Sequence, residues 1–302
     1  MKKNIVISLL IIIAALVIGT VVVMKNLEAP RVTEVSIVAS FYPLAHFAEI
    51  VGGDRVEVVN LTPPGAEPHD FEPTPQDIVR LRNAALVLVN GSGFEEWFAS
   101  VWKSGIIRAP ILALAEQVNL LPAGSGGAYD PHIWLDPVLA QAEVSVIRDA
   151  LIAVDSFRKD TYEKNAAAYI RQLENLDQAY ARGLSSCRIR TVISPHLAFQ
   201  YVGKRYGIDF MGIAGVSPDE EPSPKRMAEL ADIAKAKGVE YIFFETLVSP
   251  KLAETIAKEA GIGTLVLNPI EGLTEDEISA GETYISVMEK NLEQLRKAMD
   301  CT

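Results

Sequence analysis

The chain has 302 residues and a formal net charge of −11 at pH 7. This acidic balance argues against a nucleic-acid partner, because binding a phosphate backbone requires a basic surface. With 49% hydrophobic and 22% charged residues, the chain can form two packed domains of ordinary size or one large one.

The amino terminus indicates export. Lysines at positions 2 and 3 precede an almost wholly apolar run from Ile5 to Met24. About twenty helical residues span about 30 Å, the thickness of a bilayer core, and the lysines favour the cytoplasmic side. We expect residues 1–24 to be an uncleaved membrane anchor, with a cleaved signal peptide as the alternative. No cysteine is near for lipid attachment, and residues 25–33 resemble a polar tether.

Strand and helix patterns alternate along the first half of the chain. Short apolar runs bounded by glycine, proline or asparagine predict strands, and apolar residues at helical spacing predict helices. The predicted strands are Val35–Ala39, Val56–Leu61, Ala85–Val89 and Ile111–Leu114. The predicted helices are Leu44–Val51, one starting near Pro75, and Phe94–Trp102. The alternation predicts a parallel sheet covered by helices, and we assign residues 34–156 to an amino-terminal lobe.

A long helical pattern leads into the second half. Pro137 suits the first turn of a helix that runs towards Val154. A further pattern, with few helix breakers, covers about Arg158–Ala181. A helix of some two dozen residues is about 35 Å long. We therefore expect residues 157–183 to be a stiff connector between lobes rather than a flexible linker.

The second half repeats the alternation of the first. The predicted strands are Thr191–Ser194, Ile208–Ile213, Tyr241–Phe244 and Thr264–Leu267. Helices are predicted at about 197–206, 224–237, 250–260 and 280–299. Residues 184–302 are assigned to a carboxy-terminal lobe. The predicted fold class is α/β, with two lobes that are each a mostly parallel four-stranded sheet covered by helices, and with a cleft between them.

Three of the four histidines occupy similar positions. His69 and His196 follow predicted strands, His132 precedes the predicted helix at Pro137, and each has a proline beside it. Ligands of open α/β sheets collect beyond the carboxyl ends of strands, and neighbouring prolines restrict the backbone. Loop histidines often serve only as solvent-exposed or hydrogen-bonding residues. Three in one context nevertheless predict a metal site in the cleft, since neutral imidazole is a good zinc ligand.

A tetrahedral zinc site with three imidazoles needs one further ligand. Glu271 follows the last predicted strand and is the expected fourth ligand. Glu245, also at a strand end, is the reserve candidate, and Asn268 is a weaker one because it carries no charge.

The remaining polar residues near the histidines have two interpretations. Glu67, Asp70 and Asp136 could hold histidine tautomers as partners of the ligands, or they could cap helices and turns. His46, on an apolar helix face, is expected to be structural.

The two cysteines, Cys187 and Cys301, bracket most of the second half. In an oxidising compartment they could form a disulfide that ties the carboxy-terminal helix to the start of a strand. Closure of a loop of about a hundred residues would contribute about 4–5 kcal/mol on chain-entropy grounds. Two unpaired thiols are the alternative.

Several stretches are similar, in order, to a known family. They are Ser40–Leu44, Pro64–Phe71, Asp130–Pro137, Ser194–His196 running on to Tyr206-Gly207, Phe244–Thr246 with Ser249-Pro250, and Asn268–Thr274. Over roughly residues 35–299 the chain resembles the metal-specific substrate-binding proteins of ABC uptake transporters, of the zinc and manganese type. The resemblance implies two α/β lobes joined by a long rigid helix, with one metal ion between them.

Carried over by position, the resemblance implies that His69, His132, His196 and Glu271 are the metal ligands. Manganese-type members usually have a carboxylate in place of the third histidine, so His196 favours Zn²⁺ as the transported ligand, with Mn²⁺ possible. The chain departs from many zinc-type members because Pro122–Tyr129 contains no histidine-rich loop and no cysteine offers a lipid anchor.

The resemblance implies a monomeric, non-enzymatic protein that captures Zn²⁺ outside the membrane and delivers it to ABC transporter permease subunits. It would be anchored at the extracytoplasmic face of the membrane, or be periplasmic or secreted if the amino-terminal segment is cleaved. The alternatives are a manganese- or iron-specific protein of the same type, a zinc-dependent hydrolase with a glutamate base, and a metal-stabilised surface adhesin.

Overall fold

The computed structural model describes residues 34–123, 128–218, 220 and 222–302. The predicted anchor or signal segment and tether, residues 1–33, lie outside these ranges. Within them, no helix combines the length and apolar character needed to cross a bilayer.

The first sheet of the described chain has four strands in the order β2-β1-β3-β4. The strands are β1 Val35–Ala39, β2 Val56–Asn60, β3 Leu86–Val89 and β4 Ile111–Ala113. Each neighbouring pair is parallel. The helices of this region are α1 Tyr42–Gly52, α2 Pro75–Asn83 and α3 Phe98–Lys103. Strand β3 is buried along its whole length, which explains its uninterrupted apolar sequence.

The second sheet repeats this arrangement, with four strands among the described residues in the order β6-β5-β7-β8. These are β5 Thr191–Ser194, β6 Asp209–Gly212, β7 Tyr241–Phe244 and β8 Gly263–Val266, again all parallel. The helices are α6 Gln200–Tyr206, α7 Pro224–Lys237, α8 Lys251–Ala260, α9 Glu275–Ser279 and α10 Tyr284–Ala298. The predicted α/β class with two parallel sheets is confirmed.

Two long helices lie between the sheets in sequence, α4 Pro137–Val154 and α5 Lys159–Gly183. Helix α5 has 25 residues and is therefore about 37 Å long. Its buried positions recur every three or four residues, so that one stripe faces the protein interior. It packs against α1, α4 and α10, which flank both sheets. The assignment of residues 157–183 as connector, and of the lobes as 34–156 and 184–302, remains an interpretation.

One continuous apolar core includes side chains from both halves, among them Ile37, Trp134, Tyr180 and Phe243. The two sheets therefore share packed contacts and are not independent bodies joined only by a tether. Cys187 and Cys301 form a disulfide, which rules out the alternative of two unpaired thiols.

The structure differs from the sequence expectations mainly at helix ends. Helix α3 begins at Phe98 rather than Phe94, because the Glu95 carboxylate accepts hydrogen bonds from the backbone N–H groups of Asn90 and Gly91 and holds a turn there. Helix α6 begins at Gln200 rather than near 197. The short helix α9 was not predicted, although its Thr274–Glu277 capping box is a readable signal.

Candidate metal centre

Four side chains from separate parts of the chain converge on one point. They are His69, His132, His196 and Glu271, and their potential ligand atoms all lie within 4.8 Å of one another. The Glu271 Oε1 atom is 3.4 Å from Nε2 of His69, 3.3 Å from Nε2 of His132 and 3.2 Å from Nε2 of His196. The structure thus brings together all four residues that the sequence singled out.

Parallel strands explain why these residues meet. His196 lies two residues after β5, whose last residue, Ser194, donates its hydroxyl to the His196 carbonyl oxygen at 2.7 Å. His69 is in the segment after β2, and Glu271 is in the segment after β8. His132 directly precedes a short 3₁₀ turn that leads into α4. Three of the four therefore come from loops at the carboxyl ends of strands, where such sheets bind ligands.

The loop that carries Glu271 has an unusual backbone conformation. Ile270 has a φ of 57°, and a β-branched residue rarely adopts this left-handed region because of the strain. The Ile270 N–H donates to Oδ1 of Asn268 at 2.7 Å, and the Asn268 amide in turn donates to Thr246 and Glu277. Asn268 therefore supports the turn that presents Glu271, and its side chain is not part of the convergent cluster.

Two buried carboxylates bond the far nitrogens of two of the histidines. Nδ1 of His132 lies 2.8 Å from Oδ1 of Asp130, and the same oxygen accepts the His132 backbone N–H at 3.0 Å. Nδ1 of His196 lies 3.0 Å from Oε1 of Glu245. Such bonds place the proton on Nδ1 and leave Nε2 directed at the cluster. The reserve ligand Glu245 thus contacts a histidine from behind instead of joining the cluster.

The other acidic residues near the histidines have different contacts. Oε1 of Glu67 accepts the His69 backbone N–H at 3.2 Å, while its buried Oε2 has no hydrogen-bond partner among the described residues. Asp136 caps α4 by accepting the Val138 N–H. Asp70 is exposed and lines a cavity of about 540 Å³ beside His69.

Most of the cluster is buried. The side chains of His132, His196 and Glu271 are at most 1% exposed, whereas that of His69 is 10% exposed. His69 therefore lies between the buried atoms and the cavity. His46, predicted to be structural, lies outside this group and bonds the Tyr169 hydroxyl through Nε2 at 3.1 Å.

The electrostatics of the cluster are those of imidazoles gathered around a carboxylate. Burial alone would lower the pKa of His196, but the charges of Glu245 and Glu271 outweigh it and raise that pKa well above its usual value. The pKa of His132 is also raised, because hydrogen bonds to Asp130 and Glu271 outweigh its burial. Burial raises the pKa of Glu271, yet the nearby histidines, His196 first, bring it well below its ordinary value. Without a cation, these interactions favour protonated imidazoles at His132 and His196 and an ionised carboxylate at Glu271.

Such a donor set suits one divalent ion. Three neutral imidazole nitrogens and one carboxylate oxygen make up the four ligands of a tetrahedral zinc site. Thiolate plays no part, because both cysteines of the chain are in the disulfide. The protein groups already present could fill all four positions, which distinguishes the cluster from a site that holds a metal-bound water.

Comparison with known proteins gives a consistent result. The sequence model of the family described as zinc-uptake complex component A, periplasmic, matches residues 37–298. The zinc-binding lipoprotein AdcA of Streptococcus pneumoniae is 40% identical over 281 residues, which cover 88% of this chain and 56% of the relative. The high-affinity zinc uptake system protein ZnuA of Bacillus subtilis is 37% identical over 277 residues, 87% of each chain.

A solved structure extends the comparison. The crystal structure of the Zn(II)-bound ZnuA-like domain of Streptococcus pneumoniae AdcA is 41% identical in sequence and superposes with a TM-score of 0.79. The match covers 89% of this chain and 100% of that domain. The chain spans little more than half, 56%, of the full-length Streptococcus relatives that it matches.

Proposed function

The chain belongs to the family of zinc-uptake complex component A, and we propose that it captures Zn²⁺ outside the cytoplasmic membrane and delivers it to the permease of an ABC-type uptake transporter. In this proposal Zn²⁺ is the cargo, and His69, His132, His196 and Glu271 are its ligands. The observation that carries the proposal is the approach of one Glu271 oxygen to three imidazole nitrogens at 3.2–3.4 Å.

The choice of zinc rests on the donor atoms. Imidazole nitrogen suits zinc, whereas manganese prefers sites made mainly of carboxylate, carbonyl and water oxygen. The relatives reported above are named for zinc. Support for Mn²⁺ or iron as cargo is therefore weak, and competition between Zn²⁺ and Mn²⁺ for the purified protein would decide the matter.

Transport is better supported than hydrolysis. A catalytic zinc ion keeps one coordination position for water or substrate. Here Oε1 of Glu271 lies within 3.4 Å of all three imidazole Nε2 atoms and could supply the fourth ligand. The family is one of uptake components and not of enzymes. The chain would therefore bind and release its cargo without chemical change.

The fold suggests how release would occur. Helix α5 packs against elements beside both sheets and the two halves share one core, so wide separation of the halves would break many packed contacts. We expect small movements of the ligand-bearing loops instead, on docking to the permease. In this proposal the protein acts as a monomer held at, or released from, the outer face of the membrane.

Zinc titration of the purified protein tests the proposal. Metal-free wild type should bind one Zn²⁺ per chain in competition with a chromophoric chelator, and His196→Ala or Glu271→Ala should weaken binding by more than about 100-fold. His46→Ala is the control and should bind as the wild type does. Wild-type affinity in either ligand variant removes that residue from the site, and a wild type that binds no zinc ends the proposal. Deletion of the gene for this protein should abolish zinc uptake by the cell, which would show that the protein delivers zinc to the transporter.

A further inference from the structure

Helix α6 carries two side chains, one turn apart, that both reach the segment bearing His132. They are Tyr201 and Arg205, at positions i and i+4 of the same helix, so they lie on one face. The segment that they contact, Asp130–Asp136, comes from the other half of the chain and contains His132 near its middle.

Tyr201 binds the start of this segment. Its hydroxyl donates to the carbonyl oxygen of Asp130 at 2.7 Å and accepts the backbone N–H of Leu121 at 3.0 Å. Tyr201 is 5% exposed, and a buried bond of this kind resists replacement by water. Asp130 is also the residue whose carboxylate holds Nδ1 of His132. The tyrosine thus fixes the backbone of the group that orients a proposed ligand.

Arg205 binds the end of the segment. Its Nε atom lies 2.6 Å and 2.7 Å from the two carboxylate oxygens of Asp136. Asp136 is 2% exposed and caps α4 through the Val138 N–H at 2.9 Å. A buried carboxylate of this kind depends on its cationic partner. The segment is therefore held at both ends by one helix of the second half.

The same helix is attached to another proposed ligand through the chain. Only residues 197–199 separate His196 from the start of α6, and the Leu197 N–H is fixed to the Gly215 carbonyl oxygen at 2.7 Å. Helix α6 therefore binds the His132 segment through hydrogen bonds, and it follows His196 in the chain after only three residues. The Nε2 atoms of these two histidines lie 3.2 Å apart.

We propose that Tyr201 and Arg205 are positioning residues that hold His132 against His196, and that they set how long bound zinc is retained. Neither side chain belongs to the ligand cluster. Tyr201 acts through Asp130, and Arg205 acts through Asp136. This inference rests on the proposed capture of zinc.

The test measures zinc dissociation from Tyr201→Phe by stopped flow with excess chelator. Loss of the hydroxyl removes its hydrogen bonds to the Asp130 carbonyl oxygen and the Leu121 N–H and should speed dissociation by about 3- to 10-fold. The matched control is Tyr180→Phe, because Tyr180 is also buried and its hydroxyl donates to a backbone carbonyl, that of Met288, at 2.8 Å. This control should lose stability without faster dissociation. Equal acceleration in both variants, or a change below about twofold in Tyr201→Phe, overturns the proposal.

Double variants separate positioning from a general loss of stability. The Asp130→Ala variant keeps the backbone carbonyl that Tyr201 binds but removes the carboxylate that holds Nδ1 of His132. In this background the effect of Tyr201→Phe should therefore largely vanish. In a Glu245→Gln background, which alters the carboxylate behind His196 instead, the full effect should remain. Equal effects in the two backgrounds contradict the route through Asp130.

A separate variant tests Arg205. Arg205→Lys keeps the charge but loses the planar guanidinium, so it should also speed zinc dissociation. Unchanged dissociation removes Arg205 from the proposal.

A readout without metal keeps this inference separate from the proposed function. In the metal-free protein, Tyr201→Phe should shift the ring ¹⁵N resonances of His132 and leave those of His46 in place. A wild type that binds no zinc would end the proposed function, whereas unchanged His132 resonances would end the positioning role.

Discussion

The Trp134 indole N–H donates a hydrogen bond to the carbonyl oxygen of Pro269 at 2.8 Å. Trp134 lies two residues after His132, and Pro269 lies two residues before Glu271. The Tyr284 hydroxyl donates to the carbonyl oxygen of Trp134 and extends the link to α10. Because the tryptophan is fully buried, this bond joins two of the ligand-bearing segments inside the core. The site is therefore held by direct contacts between its loops as well as by the two sheets.

Replacement of Trp134 by phenylalanine should weaken both the fold and the site. The change leaves the buried Pro269 carbonyl without its donor and should lower the free energy of unfolding by about 1–3 kcal/mol. Zinc affinity should fall as well, since the Glu271 loop loses a fixed neighbour. Urea unfolding and zinc titration measure the two effects. Trp102→Phe is the control, because Trp102 is 60% exposed, and equal behaviour of the two variants would contradict the role of the bond.

Glu245→Gln should reduce zinc affinity by about 10- to 100-fold without abolishing binding. The carboxylate stabilises the proton on Nδ1 of His196 and so raises the basicity of Nε2. The amide oxygen of glutamine can still accept that hydrogen bond but carries no charge. Chelator competition measures the loss. A loss as large as that of Glu271→Ala would indicate that Glu245 is a ligand and that this interpretation of its contact is wrong.

Zinc affinity should fall as the pH decreases, and the fall should begin above the ordinary histidine range. The pKa values of His132 and His196 are raised in the metal-free protein, so zinc must displace protons from their nitrogens near neutral pH. The pKa of Glu271 is well below its ordinary value, so this carboxylate stays ionised throughout. Calorimetry in buffers of different ionisation enthalpy should show proton release, and affinity independent of pH between about 5.5 and 8.5 would contradict the account.

The same shifts predict the pH dependence of stability without zinc. A histidine whose pKa is raised by folding contributes stability that is fully present below its unfolded value of about 6.5. That contribution is lost as the pH rises through the folded pKa. His196→Gln should therefore remove more stability at about pH 6 than at about pH 9, as measured by urea unfolding of the metal-free protein. A constant difference across this range would show that His196 is not charged in the metal-free fold.

Removal of the disulfide should destabilise the protein and leave zinc binding intact. The bond joins Cys187 to Cys301, 114 residues apart, and on chain-entropy grounds its loss costs up to about 4–5 kcal/mol. Cys187 precedes β5, whereas His196 follows the other end of that strand. The Cys187→Ser, Cys301→Ser double variant should therefore unfold at lower urea concentration with wild-type zinc affinity. A large change in affinity would show that the bond also shapes the site.

Local sequence signals predicted the strands and pointed to the three histidines and Glu271, with Glu245 and Asn268 as alternatives, and the family resemblance implied the same four ligands. The hydrophobic pattern and the prolines that bound it extend over only a few positions and mark where each strand ends. In a parallel sheet, the loops that follow the strands lie at the same edge. His69, His196 and Glu271 were found in this way. His132 was found by its place between prolines before α4.

The supporting contacts could not be read from local sequence. Glu245 meets His196 across 49 residues, and Tyr201 meets Asp130 across 71. Such pairs depend on the direction of each side chain after the sheets have packed, which no local pattern specifies. The contact between Asp130 and His132 could have been predicted in principle, since an acidic residue two positions before a histidine can fold back on it. The late start of α3 likewise depends on one carboxylate turned towards two backbone N–H groups.

X-ray absorption at the zinc edge, on protein loaded with one Zn²⁺ per chain, would identify the ligands of the bound ion. We expect four-coordinate zinc with three imidazole nitrogens at about 2.0–2.1 Å and one carboxylate oxygen. Glu271→Gln should change the oxygen shell, and His46→Ala should leave the spectrum unchanged. Fewer than three imidazoles, or a spectrum unaffected by Glu271→Gln, would contradict this ligand set.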